Sequence, residues 1–336
     1  MKTFESLTKQ GQVRRLRALA FAAIKNYDLD VRAVQLVGVY TNTLFRVRTD
    51  QGHSYLLRIC RPGWRSKTDL RSEVMWLQAL QRDTDIGAPQ PRSARTGEYL
   101  VMAQADGVPE PRRCMLMSWV PGAPLEKHLN EVNLYKLGVL FAQLHDYSAG
   151  FEPPPGFTRL KLDSIYVRGE EDSLLTESYL SQFSRRQGDV LRRTRELVDN
   201  AFQELYDDPT GLRVIHNDLW HGNVKIYHGR LFPLDFEDTI WGYPVQDIAM
   251  AIFDLMADVD AQRFEPLQRA LRQGYESKAA WPERYDGQLD AFRAGRMLWV
   301  ANYVAHYQSQ YLHAHIEWLA PYFEYFLETG LIRRTA

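Results

Sequence analysis

Asp218, Asn223 and Asp235 are the residues of this 336-residue chain whose types and spacing best suit chemistry. Two of them lie in "VIHNDLWHGNV", residues 214–224, where an apolar Val-Ile pair gives way at once to His216, Asn217, Asp218, Trp220, His221, Gly222 and Asn223. The third opens "DFED" a short way downstream. Between them "VKIY" and "RLFPL" flank His228 and Gly229, a pair suited to a two-residue hairpin turn. With Tyr227 facing Arg230, counting outward sets Asn223 opposite Leu234, one step from Asp235; Pro233 lacks a ladder donor and loosens this register. An amide oxygen and a carboxylate at one end of a hairpin, with a second carboxylate five residues upstream of the amide, suit metal-assisted phosphoryl transfer from ATP. Mg2+ takes hard oxygen ligands and leaves its other positions to phosphates and waters.

The same spacing and order occur in the protein kinase pattern H-x-D-x-x-x-x-N followed by D-F, here His216, Asp218, Asn223, Asp235 and Phe236. Asp218 takes the part of the group that orients or deprotonates the hydroxyl, and Asn223 and Asp235 that of the metal ligands. Those residues need elements to hold them. From residue 31 to 60 the runs "VQLVGVY", "TLFRVRT" and "SYLLRIC", parted by turn residues, read as an antiparallel meander. A helical period follows in "TDLRSEVMWLQALQR", with Leu70, Leu77 and Leu80 on one stripe. Glu73 falls on that stripe, so its carboxylate points inward and requires a partner; Arg58 on the third strand is the expected one. "YLVMA" and "CMLMSWV" supply two more strands, and "VPGAP" punctuates a hinge. Beyond it the pattern is mostly helical, broken by one β island at 212–238. The aromatics Trp299, Tyr303, Tyr307 and Tyr311 recur about every four residues and read as packed core.

Composition bounds the answer. Hydrophobic residues make up 45% and charged residues 25%, ordinary values for a globular protein. With 41 basic and 42 acidic residues the formal net charge is −1, which argues for neither nucleic acid nor an anionic membrane as partner. No apolar run reaches the roughly 18 residues that a membrane span needs. Cys60 and Cys114 are too few for a disulfide framework, so a cytoplasmic setting is expected. The arginine-rich start reads as a surface helix carrying Leu16, Ala20 and Ile24. There is no G-x-x-x-x-G-K-[ST] loop and no G-x-G-x-x-G fingerprint, so nucleotide binding falls to the meander turn "VGVYTNTLF", with Asn42 and Thr43 at its tip.

"HNDLWHGN", "LDFED", "LMSWVPG", "KLGVLFAQLH" and "GYPVQDIAM" together resemble the aminoglycoside phosphotransferase and choline kinase superfamily over nearly the whole chain. "RPGWRS" with "PVQDIAM" is most similar to its stress-response kinase A and type II homoserine kinase branch. The resemblance implies an α+β, bilobal, protein-kinase-like fold: an N-terminal nucleotide-binding lobe of antiparallel sheet and helix over residues 1–119, and a hinge with a mostly helical C-terminal lobe over 120–336. It implies ATP and Mg2+ as cofactors, with Arg58 and Glu73 at the phosphates, backbone groups of Ser118, Trp119 and Val120 at the adenine, and Asp247 bracing the catalytic loop. The expected activity is transfer of the γ-phosphoryl group to a hydroxyl of a small molecule. Glu237, Asp238 and Trp220, with Trp241 and Tyr243, suggest an acceptor bearing positive charge, an amino alcohol such as homoserine, choline, ethanolamine or an aminoglycoside. A Ser/Thr protein kinase of the stress-response kinase A type is the alternative reading, and a catalytically silent nucleotide-binding module a third.

Overall fold

Residues 3–333 are described by the computed structural model. Two compact units divide the chain: the first runs up to Gly122 and adds Pro153–Thr158 and Phe232–Glu237, and the second takes Ala123–Glu152, Arg159–Leu231 and the chain from Asp238 onward.

Helix α1 (Lys9–Ile24) opens the first unit, with the Thr8 side chain accepting from Gly11 N at its start. Its face of Leu16, Leu19, Ala20, Ala23 and Ile24 joins one core with Phe45, Val47, Leu57, Ile59, Cys114 and Leu116. Those residues belong to a six-stranded antiparallel sheet. The strands β1 (Val31–Val39), β2 (Thr43–Thr49) and β3 (Ser54–Ile59) form the meander. After α2 (Lys67–Asp83) come β4 (Pro91–Arg92), β5 (Leu100–Ala103) and β6 (Arg112–Ser118), giving the order β1-β2-β3-β6-β4 with β5 also on β6. In β2 the buried residues Thr43, Phe45, Val47 and Thr49 alternate, as a half-buried strand requires. Toward its end β3 is buried on both faces, because Leu57 and Ile59 meet the α1 core while Arg58 turns to Glu73 of α2. A capping box starts α2: Ser66 Oγ accepts from Asp69 N at 3.0 Å, and Asp69 Oδ2 accepts from Ser66 N at 3.0 Å.

In the second unit β7 (Ala123–Pro124) is followed by α3 (Glu131–Ala149), α4 (Glu177–Leu180), α5 (Arg185–Asp207), β8 (Arg213–Ile215), β9 (Val224–Tyr227) and β10 (Arg230–Pro233). Then come β11 (Ile240–Gly242), α6 (Pro244–Asp258), α7 (Ala261–Glu276), α8 (Gln288–Tyr307) and α9 (Leu312–Thr329). His228 (φ 47°) and Gly229 (φ 73°) make the turn between β9 and β10, with both residues at the positive φ that the favoured two-residue hairpin turn requires. The β8 strand pairs with β11, Val214 opposite Trp241. Helices α3 and α7 meet backbone to backbone: a Cβ on Gly138 would overlap the Leu271 carbonyl, and one on Gly274 the Tyr135 carbonyl. No helix among the described residues is long and apolar enough to cross a membrane.

Trp299, Tyr303, Tyr307 and Tyr311 depart from the sequence reading. Tyr303, Tyr307 and Tyr311 are 38%, 52% and 61% exposed and are not core. The face that α8 buries includes Leu289, Phe292, Ala294, Met297, Leu298, Ala301 and Ala305. At 3.6 residues per turn Trp299, Tyr303 and Tyr307 fall on the opposite side, and Tyr311 lies past the end of α8.

Because backbone atoms cannot move aside as a side chain can, Gly138→Ala is expected to lower the unfolding free energy by about 1–3 kcal/mol. Chemical denaturation checks this; unchanged stability would show that α3 and α7 are not in backbone contact.

Candidate active site

The loop after β8 is held by a buried carboxylate. Asp247, on the first turns of α6 and 1% exposed, accepts from His216 N at 3.0 Å and from Asn217 N at 2.7 Å. Its Oδ2 also lies 3.1 Å from His145 Nε2, and His145 Nδ1 lies 3.2 Å from the Tyr275 hydroxyl. His145 stands on α3 and Tyr275 on α7, the helices brought together at the two glycines. Bending the chain to present both N–H groups puts Asn217 at φ 62°, a conformation that asparagine tolerates better than most residues. Leu219, fully buried, anchors the loop from below.

This bend delivers Asp218. Its N donates to His216 Nδ1 at 3.3 Å, and its Oδ2 accepts from Asn223 Nδ2 at 2.7 Å. The same Nδ2 reaches Asp218 O at 2.9 Å, so the amide nitrogen of Asn223 is committed to Asp218 and its Oδ1 is turned away. Trp220 covers Gly222 so closely that a Cβ there would meet its ring. His221 Nε2 sits 2.8 Å from Asp258 Oδ2. His216, expected among the catalytic residues, is buried and its Nδ1 accepts from Asp218 N.

In the first unit, Arg58 Nη1 donates to Glu73 Oε1 at 3.0 Å and Nη2 to Glu73 Oε2, a bidentate pair with both residues buried. Two further carboxylates approach Nη1: Glu237 at 3.5 Å and Asp235 at 3.9 Å. Burial pushes the Arg58 guanidinium down, but Glu73 and Glu237 outweigh it and hold it well above its ordinary value. Asp235, at φ 58°, keeps a side chain 45% exposed.

Several expected site residues are otherwise engaged. Glu237, expected at the acceptor, is buried and accepts from Asn42 Nδ2 at 2.7 Å and Trp64 Nε1 at 3.2 Å. Asn42, expected at the nucleotide, is a strut whose Oδ1 also accepts from Arg61 N at 3.0 Å. Thr43 is buried on β2. The N–H groups of Ser118 and Trp119 donate to Gln90 O and Ser54 O, so neither is available to an adenine. Asp238 pairs with Arg168 at 3.5 Å in the second unit, which removes the surplus charge it was expected to lend. Tyr243 is buried, edge-on to Tyr206 at 5.0 Å, with its hydroxyl donating to Asp208 O, and is packing. Arg296 on α8 was not foreseen: its Nη2 lies 3.6 Å from Asp218 Oδ1 and 3.6 Å from Asp254 Oδ2. Trp64 has only one mark in the sequence, an indole between arginines two residues before the helix cap Ser66.

Sheet-rich first unit, helical second unit and polar loop define a phosphotransferase with a protein-kinase-like fold. The chain belongs to the APH phosphotransferase enzyme family, whose family model matches residues 32–283. Among curated proteins it is similar to amicoumacin kinase of Bacillus subtilis, 25% identical over 242 residues, covering 71% of this chain and 68% of that protein. Among solved structures it is similar to a microcompartment-associated aminopropanol kinase, with TM-score 0.75 and 22% identity over 94% of this chain and 99% of that one. An amicoumacin kinase in complex with AMP-PNP, Ca2+ and Ami gives TM-score 0.74 at 17% identity, covering 94% and 96%.

Removing the cation from a buried pair leaves charge uncompensated. Arg58→Met is expected to lower stability by about 3–5 kcal/mol in chemical denaturation, and a loss below about 1 kcal/mol would mean that Glu73 and Glu237 are not held by it.

Proposed function

We propose that this chain transfers the γ-phosphoryl group of ATP to a hydroxyl of a small molecule, with Asp218 facing that hydroxyl. The observation that carries the reading is the Asp218–Asn223 contact at 2.7 Å, because it fixes one carboxylate and sets the orientation of the amide beside it. The half-buried Asp218–Asn223 pair stands on a loop whose backbone is locked by Asp247. Phosphoryl transfer passes through a loose transition state and needs little base strength, so Asp218 acts chiefly by placing the hydroxyl and taking its proton late.

Asn223 Oδ1 in the second unit and the Asp235 carboxylate in the first are each the kind of hard oxygen that Mg2+ takes. Among the described residues no cluster of three or more His, Cys, Asp or Glu is arranged as a metal site, so a metal taken by either group would draw most of its ligands from phosphates and water. When bound, the metal offsets the negative charge of the β- and γ-phosphates. Arg58, aimed by Glu73 and Glu237, is the cation of the first unit for the nucleotide phosphates. The adenine is assigned to the backbone of the segment Ser118, Trp119 and Val120, where the N–H groups of Ser118 and Trp119 already donate to Gln90 O and Ser54 O.

For the acceptor, an amino alcohol remains the favoured class, though its support has moved. Glu237 and Asp238 no longer carry it. Glu170 in the second unit does: its Oε1 accepts from Trp299 Nε1 at 3.3 Å and its Oε2 from Arg168 N at 2.7 Å, neutral donors that leave its charge to be met by an ammonium. The aminopropanol kinase among the similar structures supports the same class.

Asp218→Asn is expected to cut turnover by at least about 100-fold while leaving ATP affinity within about twofold. The assay is ADP release over amino alcohols, neutral sugars, hydroxy acids and a generic Ser/Thr protein. Wild-type turnover in the variant would remove Asp218 from the reaction, and preference for a sugar or for the protein would overturn the acceptor class alone.

A further inference from the structure

We infer that Arg296 guards Asp218 against water: its guanidinium covers the carboxylate until an acceptor hydroxyl takes that place, and then passes to Asp254. This rests on the reading of Asp218 as the carboxylate that faces the acceptor. Arg296 Nη2 lies 3.6 Å from Asp218 Oδ1 and 3.6 Å from Asp254 Oδ2, so one cation stands midway between two carboxylates. Both distances are ion-pair distances, longer than a formed hydrogen bond. Arg296 Nε and Asp254 Oδ2 are moreover buried without any hydrogen-bond partner. The guanidinium is therefore shared by two anions and locked by neither, as a group with two resting places would be.

What aims it is the aromatic row on the outward face of α8. The guanidinium lies over the Trp299 ring at 4.7 Å, and Trp299 stacks on Tyr303 at 5.8 Å and 20°. Tyr307 continues the row, 4.8 Å from Tyr303. Trp299 is itself pinned through Nε1 to Glu170. The row thus has a function that core packing does not explain: it holds a cation against the loop.

Asn223 occupies Asp218 Oδ2, and Oδ1 is the oxygen that Arg296 faces. A cation beside a carboxylate lowers its basicity and covers it. Water entering in place of the acceptor would form a bond from its oxygen to the γ-phosphorus. The bond from that phosphorus to the β–γ bridging oxygen would break, ADP and phosphate would leave, and the proton would pass to Asp218 and on to solvent. A bound acceptor has contacts elsewhere with which to displace the guanidinium, and a lone water has none. Burial raises the Asp254 carboxyl, so this group gains most from a full share of the cation.

The test is ADP release by the full chain from Mg-ATP with no acceptor added. Arg296→Met keeps the stem over Trp299 without the charge and is expected to raise the release about fivefold, the weight of one partly exposed ion pair. Adding Asp218→Asn should abolish the increase, and Arg296→Lys, which restores a cation, should reverse most of it. Asp254→Asn should act the other way, leaving the cation wholly to Asp218 and lowering the release below wild type. Unchanged or lower release in Arg296→Met, at wild-type nucleotide affinity, overturns the guard. If that variant does not fold, unchanged or raised release in Asp254→Asn overturns it alone. A wild type that binds no ATP overturns the donor reading and the guard with it, so the two failures are told apart.

Discussion

A carboxylate buried to 1% exposure must be met by donors, and Asp247 is met by two loop N–H groups and a histidine. Much of the second unit follows from that requirement. The N–H groups of His216 and Asn217 can both point at Asp247 only if the chain bends through positive φ at Asn217, and the bend throws Asp218 outward. His145 can reach Asp247 only from α3, and its other nitrogen finds Tyr275 only because α7 crosses α3 at Gly138 and Gly274. Two residues without side chains, 80 positions before and 56 positions after Asp218 in the chain, thus bear on where that aspartate is held.

The first unit obeys a different constraint. One buried cation, Arg58, is approached by Glu73, Glu237 and Asp235, three carboxylates against one guanidinium. Burial makes these charges interact strongly and makes a missing partner costly. Asn42 and Trp64 hold Glu237 by hydrogen bonds, and Asn42 in turn holds Arg61 N, so the tip of the meander and the segment carrying Asp235 and Glu237 are tied to the same cation. On the proposed reading, the surplus of negative charge that remains is of the sign a divalent metal offsets.

Local periodicity made much of the fold legible: alternation gave the meander, and the Leu70–Leu77–Leu80 stripe gave the helix that carries Glu73. Spacing did the same for the loop, since His216, Asp218 and Asn223 interact within a few residues of one another. Partners distant in sequence were not legible. Glu237 reads as an available carboxylate until Asn42, 195 residues away, is seen to hold it. Arg296 carries no mark of its own on a helix, because only the fold brings α8 to the loop. The aromatic row of α8 misled for a related reason. A helical period says that a face exists, not which face is buried, and here the face that holds Ala294, Leu298 and Ala301 took the interior.

Coupling between Asp247 and Asp218 is the most direct thing to measure. Turnover of Mg-ATP with the best acceptor would be compared in wild type, Asp247→Asn, Asp218→Asn and the double variant. If Asp247 acts by placing Asp218, Asp247→Asn alone lowers turnover at least about tenfold, the scale for a lost orienting partner. The double variant then falls no further than Asp218→Asn, as residues that act as one unit do. Independent, additive losses, or full turnover in Asp247→Asn, would contradict that dependence.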